Sequence, residues 1–221
     1  MEIKVFVPTK DPHEGVTGEI YLDNSYGSTL SEKIKAMTGW DADWYIFRHD
    51  DLEILRPLVG AIPQFEQFSR DNVGVAGLIG TMCLHTSCQW WQPLRPVVTA
   101  GGIIQGFADG RPDSPMLDCP GYRTDMASVD GCFLAFSRDF LEKFDPHPIH
   151  WRYLYDVDAC LQCLEMGKRV GILDLQCRHQ SEGKFDPREF EEARQKFLEY
   201  WKPRVDFPVI STSEFRCPKD S

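Results

Sequence analysis

Acidic and histidine side chains follow apolar runs at several places in this chain, and together they could perform metal-dependent chemistry on a phosphate ester or a sugar. The groups are His49-Asp50-Asp51, Asp130, Tyr155-Asp156-Val157-Asp158 and Arg178-His179. Carboxylates and imidazoles can hold a divalent cation, which neutralises charge on phosphate oxygens. A second carboxylate can act as a general base and take the proton of an attacking hydroxyl.

The first of these groups lies at the end of a predicted strand. Residues 44–47 are apolar and aromatic, which indicates a buried strand that leads into His49, Asp50 and Asp51. Open α/β sheets place their binding sites at the carboxyl ends of such strands. A role for the two aspartates in a turn or a helix cap is the alternative, and this segment alone does not separate the two interpretations.

The elements that must position these groups alternate between strands and helices, which predicts an α/β domain with a mostly parallel central sheet flanked by helices. Predicted strands cover residues 3–8, 44–47, 72–80, 128–137 and 169–175, the last continuing towards His179. Predicted helices cover residues 138–144, 156–166 and 189–201, and another runs to Met37 from a cap at Ser28 or Ser31. Residues 52–68 are predicted to form short helical pieces, and residues 83–127 a long loop of the kind that is usually functional or mobile.

Composition limits the classes of function. The net charge of −10 over 221 residues argues against general attraction to nucleic acid or anionic lipid. The sequence shows no membrane-spanning run and no signal-peptide pattern, so we expect a cytoplasmic protein. Most of the eight cysteines lie in apolar segments, which favours reduced thiols in the core, and the Cys160/Cys163 pair is interpreted as packing rather than a zinc or redox site.

The order of the motifs resembles a known family. It comprises a first strand, the strand into His49-Asp50-Asp51, Gly74-Val75-Ala76-Gly77, residues 129–135, Tyr155-Asp156-Val157-Asp158, residues 167–172, Arg178-His179 and Gly183. In this order the chain resembles the GT-A glycosyltransferases, specifically the family 2-like group of bacteria and phages, from about Val5 to Trp201. The resemblance implies a single GT-A, Rossmann-like domain over residues 1–203 and a C-terminal tail over residues 204–221.

Roles for individual residues follow from the resemblance position by position. It implies a metal site at Asp51, His49 and His179, with Mn²⁺ or Mg²⁺ as the cofactor. It implies that Asp156 is the catalytic base and that Asp158 also belongs to the catalytic residues. The implied donor-binding residues are Pro8, Thr9, Lys10, Asp50 and Asp51, and the implied acceptor-binding residues are Asp130, Gly131, Trp90 and Trp91.

Structural roles remain open beside these functional ones. Asp156 or Asp158 could cap the helix that follows, and Asp130 could belong to a β-bulge. His179 could be an ordinary surface histidine, and at least one of Trp90 and Trp91 could hold the long loop against the core.

The implied activity is a metal-dependent, inverting transfer of a hexosyl or related sugar. The donor would be a nucleotide sugar, with a UDP-sugar favoured, and the acceptor a hydroxyl of a glycan or polysaccharide. One alternative is a phage-type transferase that acts on a modified nucleic-acid base, which the acidic charge disfavours. The other is a catalytically inactive sugar-nucleotide-binding protein.

Overall fold

A computed structural model of the protein describes residues 1–9, 19–23, 28–89, 99–107, 112–115, 121–150, 152–180 and 185–210. Its strands are β1 (Ile3–Thr9), β2 (Glu19–Asp23), β3 (Trp44–Arg48), β4 (Leu52–Ile54), β5 (Val73–Gly77), β6 (Ile79–Thr81), β7 (Cys83–Leu84), β8 (Thr99–Gly101), β9 (Ile104–Gln105), β10 (Ser114–Pro115), β11 (Arg123–Met126), β12 (Ser128–Val129), β13 (Phe133–Ser137), β14 (Arg169–Ile172), β15 (Cys177–His179) and β16 (Val209–Ile210). The α-helices are α1 (Leu30–Ala36), α2 (Ile62–Arg70), α3 (Arg138–Leu141), α4 (Tyr155–Glu165) and α5 (Pro187–Trp201), and Met37–Gly39 and Leu58–Ala61 are 3₁₀ helices.

The central sheet has seven strands in the order β11-β14-β5-β13-β3-β1-β2. β1 runs parallel to β2 and β3, and β5 runs parallel to β14. β13 is antiparallel to both β3 and β5, and β11 is antiparallel to β14. Five of these seven strands therefore run in one direction, which confirms the mostly parallel sheet.

Successive residues of a strand point to opposite faces of the sheet, so the continuous apolar runs of the central strands bury both faces. In β3, Tyr45 and Phe47 face a core that also contains buried residues of α1, α3 and α4. Trp44 and Ile46 face the opposite core, which contains Phe65 and Phe68 of α2. Helix α5 packs on α4 through a third apolar cluster.

A smaller sheet positions His179. Its order is β10-β9-β15-β4, with β15 antiparallel to β4 and parallel to β9. The register pairs His179 with Leu52, and the Gln180 N–H donates to the Asp51 carbonyl at 2.8 Å. Because β4 follows β3 after a short turn, this pairing brings His179 to the end of β3.

Several predicted elements differ from the structure. Leu52–Ile54 is a strand and not part of a helix, because its backbone pairs with β15; the helical prediction is confirmed only for the segments from Leu58 onward. The predicted strand at 169–175 ends at Ile172, and His179 lies on a separate strand of the smaller sheet. Thr29, rather than Ser28 or Ser31, caps α1, through a reciprocal capping box with Glu32.

Longer predicted segments are divided between sheets. The segment 72–80 contributes β5 to the central sheet and β6 to a three-stranded sheet, and the segment 128–137 is divided in the same way. The predicted loop at 83–127 contains short strands in its described parts. The break in the segment 128–137 falls between Val129 and Phe133, and it contains Asp130 and Gly131, the two predicted acceptor residues that the structure describes.

The packed body extends beyond the predicted start of the tail. β16 pairs antiparallel with β7, and Phe207 and Val209 pack against the apolar cluster between α4 and α5. Residues up to Ile210 therefore belong to the packed body. Among the described residues, none of the helices combines the length and the apolar character that a bilayer span requires.

Cysteine pairing departs from the expectation of reduced thiols at one position. Five described cysteines are free and buried, namely Cys88, Cys132, Cys160, Cys163 and Cys177. Cys83 is disulfide-bonded. The Cys160/Cys163 pair lies within α4, where both side chains belong to the main core cluster, and this agrees with the packing interpretation.

Candidate active site

Arg48, the last residue of β3, holds the turn that carries His49 and Asp51. Its guanidinium donates to the carbonyl oxygens of His49 at 2.9 Å and Leu52 at 2.8 Å. The same group makes a bidentate contact with Glu19 of β2, at 2.7 and 2.8 Å. Arg48 is buried, so these charge-assisted hydrogen bonds fix the backbone between β3 and β4.

Asp51 and the two histidines lie together at this turn. The Oδ1 atom of Asp51 is 3.2 Å from His179 Nε2 and 3.8 Å from His49 Nδ1. One ligand atom from each residue lies within 4.8 Å of the others. The structure thus brings together the three residues predicted to bind metal.

Two atoms of this cluster lack hydrogen-bond partners. Asp51 Oδ1 and His179 Nε2 are buried and lie 3.2 Å apart, but the geometry of this contact is not that of a hydrogen bond, and neither atom forms a hydrogen bond with any other described residue. Buried polar atoms are nearly always paired in folded proteins, and each unpaired one is expensive. A divalent cation between the imidazoles and the carboxylate would satisfy both atoms, so the donor set fits a metal ion.

The pKa values in this cluster shift in directions that favour an ionised carboxylate beside the imidazoles. Burial alone would raise the pKa of Asp51, but the contact with His179 outweighs it and lowers that pKa. Burial lowers the pKa of His49. For His179, burial would lower the pKa, but the neighbouring Asp51 raises it.

Asp156, at the start of α4, lies on the same cavity as two of these residues. The cavity of about 170 Å³ is lined by His49, His179, Asp130, Gly131 and Asp156, among others. Burial, together with the negative charge of Asp130, raises the pKa of Asp156 to about 7. A carboxylate that exchanges its proton near neutral pH is suited to act as a general base.

Comparison with known proteins identifies the family of this chain. The sequence model of the glycosyltransferase-like family matches residues 13–201. The chain belongs to this glycosyltransferase-like family. The match confirms the GT-A domain predicted from the motifs, and the seven-stranded, mostly parallel sheet agrees with it.

Similar solved structures are distant from this glycosyltransferase-like protein. One is the crystal structure of A197 from STIV, with 13% sequence identity and a TM-score of 0.48 over 82% of this chain and 86% of that chain. Another is CMP:2-keto-3-deoxy-manno-octonic acid synthetase complexed with CTP, with 14% identity and a TM-score of 0.36 over 91% of this chain and 82% of that chain. No match is found among curated proteins.

Asp158, unlike Asp156, does not line the cavity. It is fully buried, and its carboxylate accepts hydrogen bonds from Gln162 Nε2 at 2.9 Å and Trp201 Nε1 at 2.8 Å. His147 Nδ1 contacts it at 2.8 Å. These contacts join α4 to α5 and give Asp158 a structural role, while its catalytic role stays a prediction.

The described donor-binding residues predicted for this glycosyltransferase-like protein lie at the ends of two neighbouring strands, β1 and β3. Pro8 and Thr9 are the last residues of β1, which lies between β2 and β3. Asp50 is exposed and lines an open groove of about 460 Å³ together with Asp51 and Arg48. Lys10 lies outside the described residues.

The predicted acceptor residues are only partly described. Asp130 and Gly131 both line the cavity that contains Asp156. Asp130 Oδ1 also accepts a hydrogen bond from the Cys132 N–H at 2.9 Å, so this side chain shapes its own turn as well. Trp90 and Trp91 lie outside the described residues.

Two residues of this site were not singled out from the sequence. Arg48 fixes the turn at the end of β3, and Tyr155 places its hydroxyl between His49 and Gly131. Burial raises the pKa of Tyr155 well above its usual range, so the hydroxyl keeps its proton. The available signal for each was its position, since both adjoin a predicted site residue.

Proposed function

We propose that this protein transfers a sugar from a nucleotide-sugar donor, with a UDP-sugar as the first candidate, to a hydroxyl of a glycan or polysaccharide. The proposed reaction depends on a divalent metal and inverts the configuration of the transferred sugar carbon. The observation that carries the proposal is the shared cavity, which is lined by His49 and His179 of the metal-ligand cluster and by the candidate base Asp156.

In this proposal, Asp51, His49 and His179 hold the cation. When bound, the ion supplies positive charge that neutralises the phosphate oxygens of the leaving nucleoside diphosphate. A set of two imidazoles and one carboxylate favours Mn²⁺ over Mg²⁺, because Mg²⁺ binds oxygen ligands almost exclusively. Pro8, Thr9 and Asp50 are proposed to contact the nucleotide part of the donor.

Asp156 is the proposed base for the acceptor hydroxyl. A hydroxyl is a weak nucleophile, and a carboxylate within hydrogen-bond reach assists it by accepting its proton as the new bond forms. Inversion requires the base and the leaving group on opposite sides of the sugar carbon. The base lies at the start of α4, whereas His49 and His179 lie on the β3–β4 turn and on β15, and all three line the same cavity. Asp130 and Gly131, which also line it, are proposed to contact the acceptor.

Thermal unfolding with nucleoside diphosphates and Mn²⁺ or Mg²⁺ tests the donor half of this proposal. A ligand present at about 100 times its Kd stabilises the folded state by about 2.7 kcal/mol. We expect one nucleotide to raise the Tm, and only when the metal is present. The absence of any metal-dependent shift across the series would contradict the proposal.

A pair of neighbouring variants tests the metal ligands. Asp51→Asn removes the central carboxylate, so direct Mn²⁺ binding measured by calorimetry without nucleotide should weaken by about 100-fold or more. Asp50→Asn is the matched control, because Asp50 is exposed and lies outside the cluster of ligand atoms. It should retain Mn²⁺ affinity. Equal losses in the two variants would mean that the turn, and not Asp51, determines binding.

A further inference from the structure

The hydroxyl of Tyr155 lies between a histidine ring and a backbone carbonyl. Tyr155 is the first residue of α4, and its side chain is buried. The hydroxyl oxygen is 2.8 Å from the Gly131 carbonyl oxygen and 2.8 Å from His49 Nε2. The ring of Phe47 packs edge-on against that of Tyr155, with centroids 6.1 Å apart, and restricts its movement.

These two contacts determine which nitrogen of His49 carries the proton. A carbonyl oxygen can only accept a hydrogen bond, so the single Tyr155 proton points to Gly131. The hydroxyl oxygen then acts as the acceptor for His49, which requires a proton on Nε2. In the neutral ring this leaves Nδ1 unprotonated, with its lone pair available.

His49 Nδ1 is the nitrogen that faces the metal-ligand cluster, at 3.8 Å from Asp51 Oδ1. We propose that Tyr155 is a positioning residue, which fixes the Nε2–H tautomer of His49 and directs its Nδ1 lone pair at the cation. The inference rests on the proposed metal site and adds a residue that controls one of its ligands. In this role Tyr155 acts through His49 and is not itself one of the proposed metal ligands.

Two features of the backbone keep the Tyr155 hydroxyl in place. Leu154, the residue before it, adopts a left-handed backbone conformation with φ of 62°, which is uncommon for a residue other than glycine. This conformation sets the direction in which α4 begins, and so the position of Tyr155. Gly131 leaves room for the phenol, because a Cβ atom there would lie 2.6 Å from Tyr155 Cζ. Tyr155 and Asp156 are adjacent, so the first turn of α4 carries both the residue that positions the ligand His49 and the proposed base.

The tautomer of His49 can be measured without any metal. Two-bond ¹H–¹⁵N correlations of histidine-labelled protein at pH 8 distinguish the Nε2–H from the Nδ1–H form, and His49→Gln identifies the His49 signals among the six histidines. We expect the Nε2–H form in the wild type and a mixture of both forms in Tyr155→Phe. A wild-type ring with its proton on Nδ1 would overturn the proposal.

Metal titration tests the consequence for the ligand cluster. Removal of the group that orients a metal-binding histidine usually weakens binding by about 10- to 100-fold. We therefore expect Tyr155→Phe to raise the Kd for Mn²⁺ or Co²⁺ by about this factor, and Gly131→Ala, which displaces the phenol without removing it, to have a similar effect.

Tyr45→Phe is the matched control. Tyr45 is also buried and donates to a backbone carbonyl, that of Trp40 at 2.8 Å, but it does not touch the cluster. It should lose comparable stability and keep both the metal Kd and the His49 tautomer.

The outcomes separate this inference from the proposed function. If the wild type binds no divalent metal, the proposed function fails, while the tautomer spectra still decide whether Tyr155 controls His49. If the wild type binds metal and folded Tyr155→Phe binds it equally well, the positioning role is wrong and the metal site stands. Equal metal losses in Tyr155→Phe and Tyr45→Phe would assign the effect to general destabilisation and would also overturn the inference.

Discussion

Asp156 and Asp158 belong to the first turn of the same helix, yet their surroundings are opposite. Residues two positions apart on a helix point to nearly opposite sides. Asp156 therefore points to the cavity, where the nearby charge of Asp130 and partial burial oppose its ionisation. Asp158 points into the core and is held by Gln162, Trp201 and His147.

A similar contrast separates the Arg48–Glu19 ion pair from Asp51, which lies in the turn after β3. Arg48 and Glu19 satisfy each other through bidentate hydrogen bonds, whereas Asp51 Oδ1 is buried without a hydrogen bond to any residue in the described part of the chain. Fully paired polar groups stabilise the framework. Groups that the fold leaves unpaired, or whose ionisation it opposes, are the ones available for a ligand or a proton.

The largest expected effect tests the cavity side of this comparison. Asp156→Asn keeps the size of the side chain but removes its ability to accept a proton. Sugar transfer should fall by about 10²- to 10⁴-fold, the usual contribution of a general base. Turnover with the donor identified by thermal shift measures this change, and donor binding in the presence of metal should be unchanged. Normal transfer by the variant would show that another group is the base.

The next effect tests the core side. Asp158→Ala leaves the indole N–H of Trp201 and the amide of Gln162 buried without their acceptor. Breaking such a network typically costs about 3 to 5 kcal/mol, so the free energy of unfolding in urea should fall by that amount. Transfer per folded molecule should remain close to that of the wild type. A loss of activity without a loss of stability would restore Asp158 to the catalytic residues.

Local patterns in the sequence are sufficient to predict the strand that leads to His49 and the helix that begins near Asp156. The apolar run before His49 and the helical spacing after Asp156 are short-range features, and both are confirmed as a strand end and a helix start. The alternating strands and helices similarly predicted the central sheet. These patterns place Asp51 just after a strand and Asp156 at a helix start without knowledge of the tertiary contacts, while their functional roles rest on the family resemblance and stay predictions.

The partners of Asp158, His179 and Tyr155 could not be predicted in this way, because they depend on contacts between distant segments. Asp158 accepts a hydrogen bond from Trp201 at the end of α5, and nothing near Asp158 in the sequence indicates this partner. The approach of His179 to Asp51 depends on the register between β15 and β4, which required Leu52–Ile54 to be recognised as a strand. The sequence motif includes Tyr155 but indicates no role for it, because its contacts are with His49 and with a carbonyl oxygen from another turn.

The smallest expected effect is the change in the free energy of unfolding caused by Asp156→Asn, and its sign follows from the raised pKa of Asp156. Its pKa rises from an ordinary value of 3.8 to about 7 on folding, so the folded protein binds this proton more tightly than the unfolded chain. The contribution of Asp156 to stability is then most favourable below pH 4 and is lost as the pH rises through 7. At pH 8 the uncharged Asp156→Asn should be more stable than the wild type by about 2 kcal/mol, after allowance for solvent screening at a partly exposed group.

Urea unfolding at pH 5 and pH 8 measures this difference, which should be larger at pH 8. Asp130→Asn removes the second cause of the raised pKa, so it should reduce the dependence of stability on pH without abolishing it, because burial remains. Asp158→Ala should destabilise the protein at both pH values, the opposite sign from Asp156→Asn at pH 8. If Asp156→Asn were less stable than the wild type at pH 8, the fold would favour the charged form of Asp156. The statement that its surroundings oppose its ionisation would then be wrong.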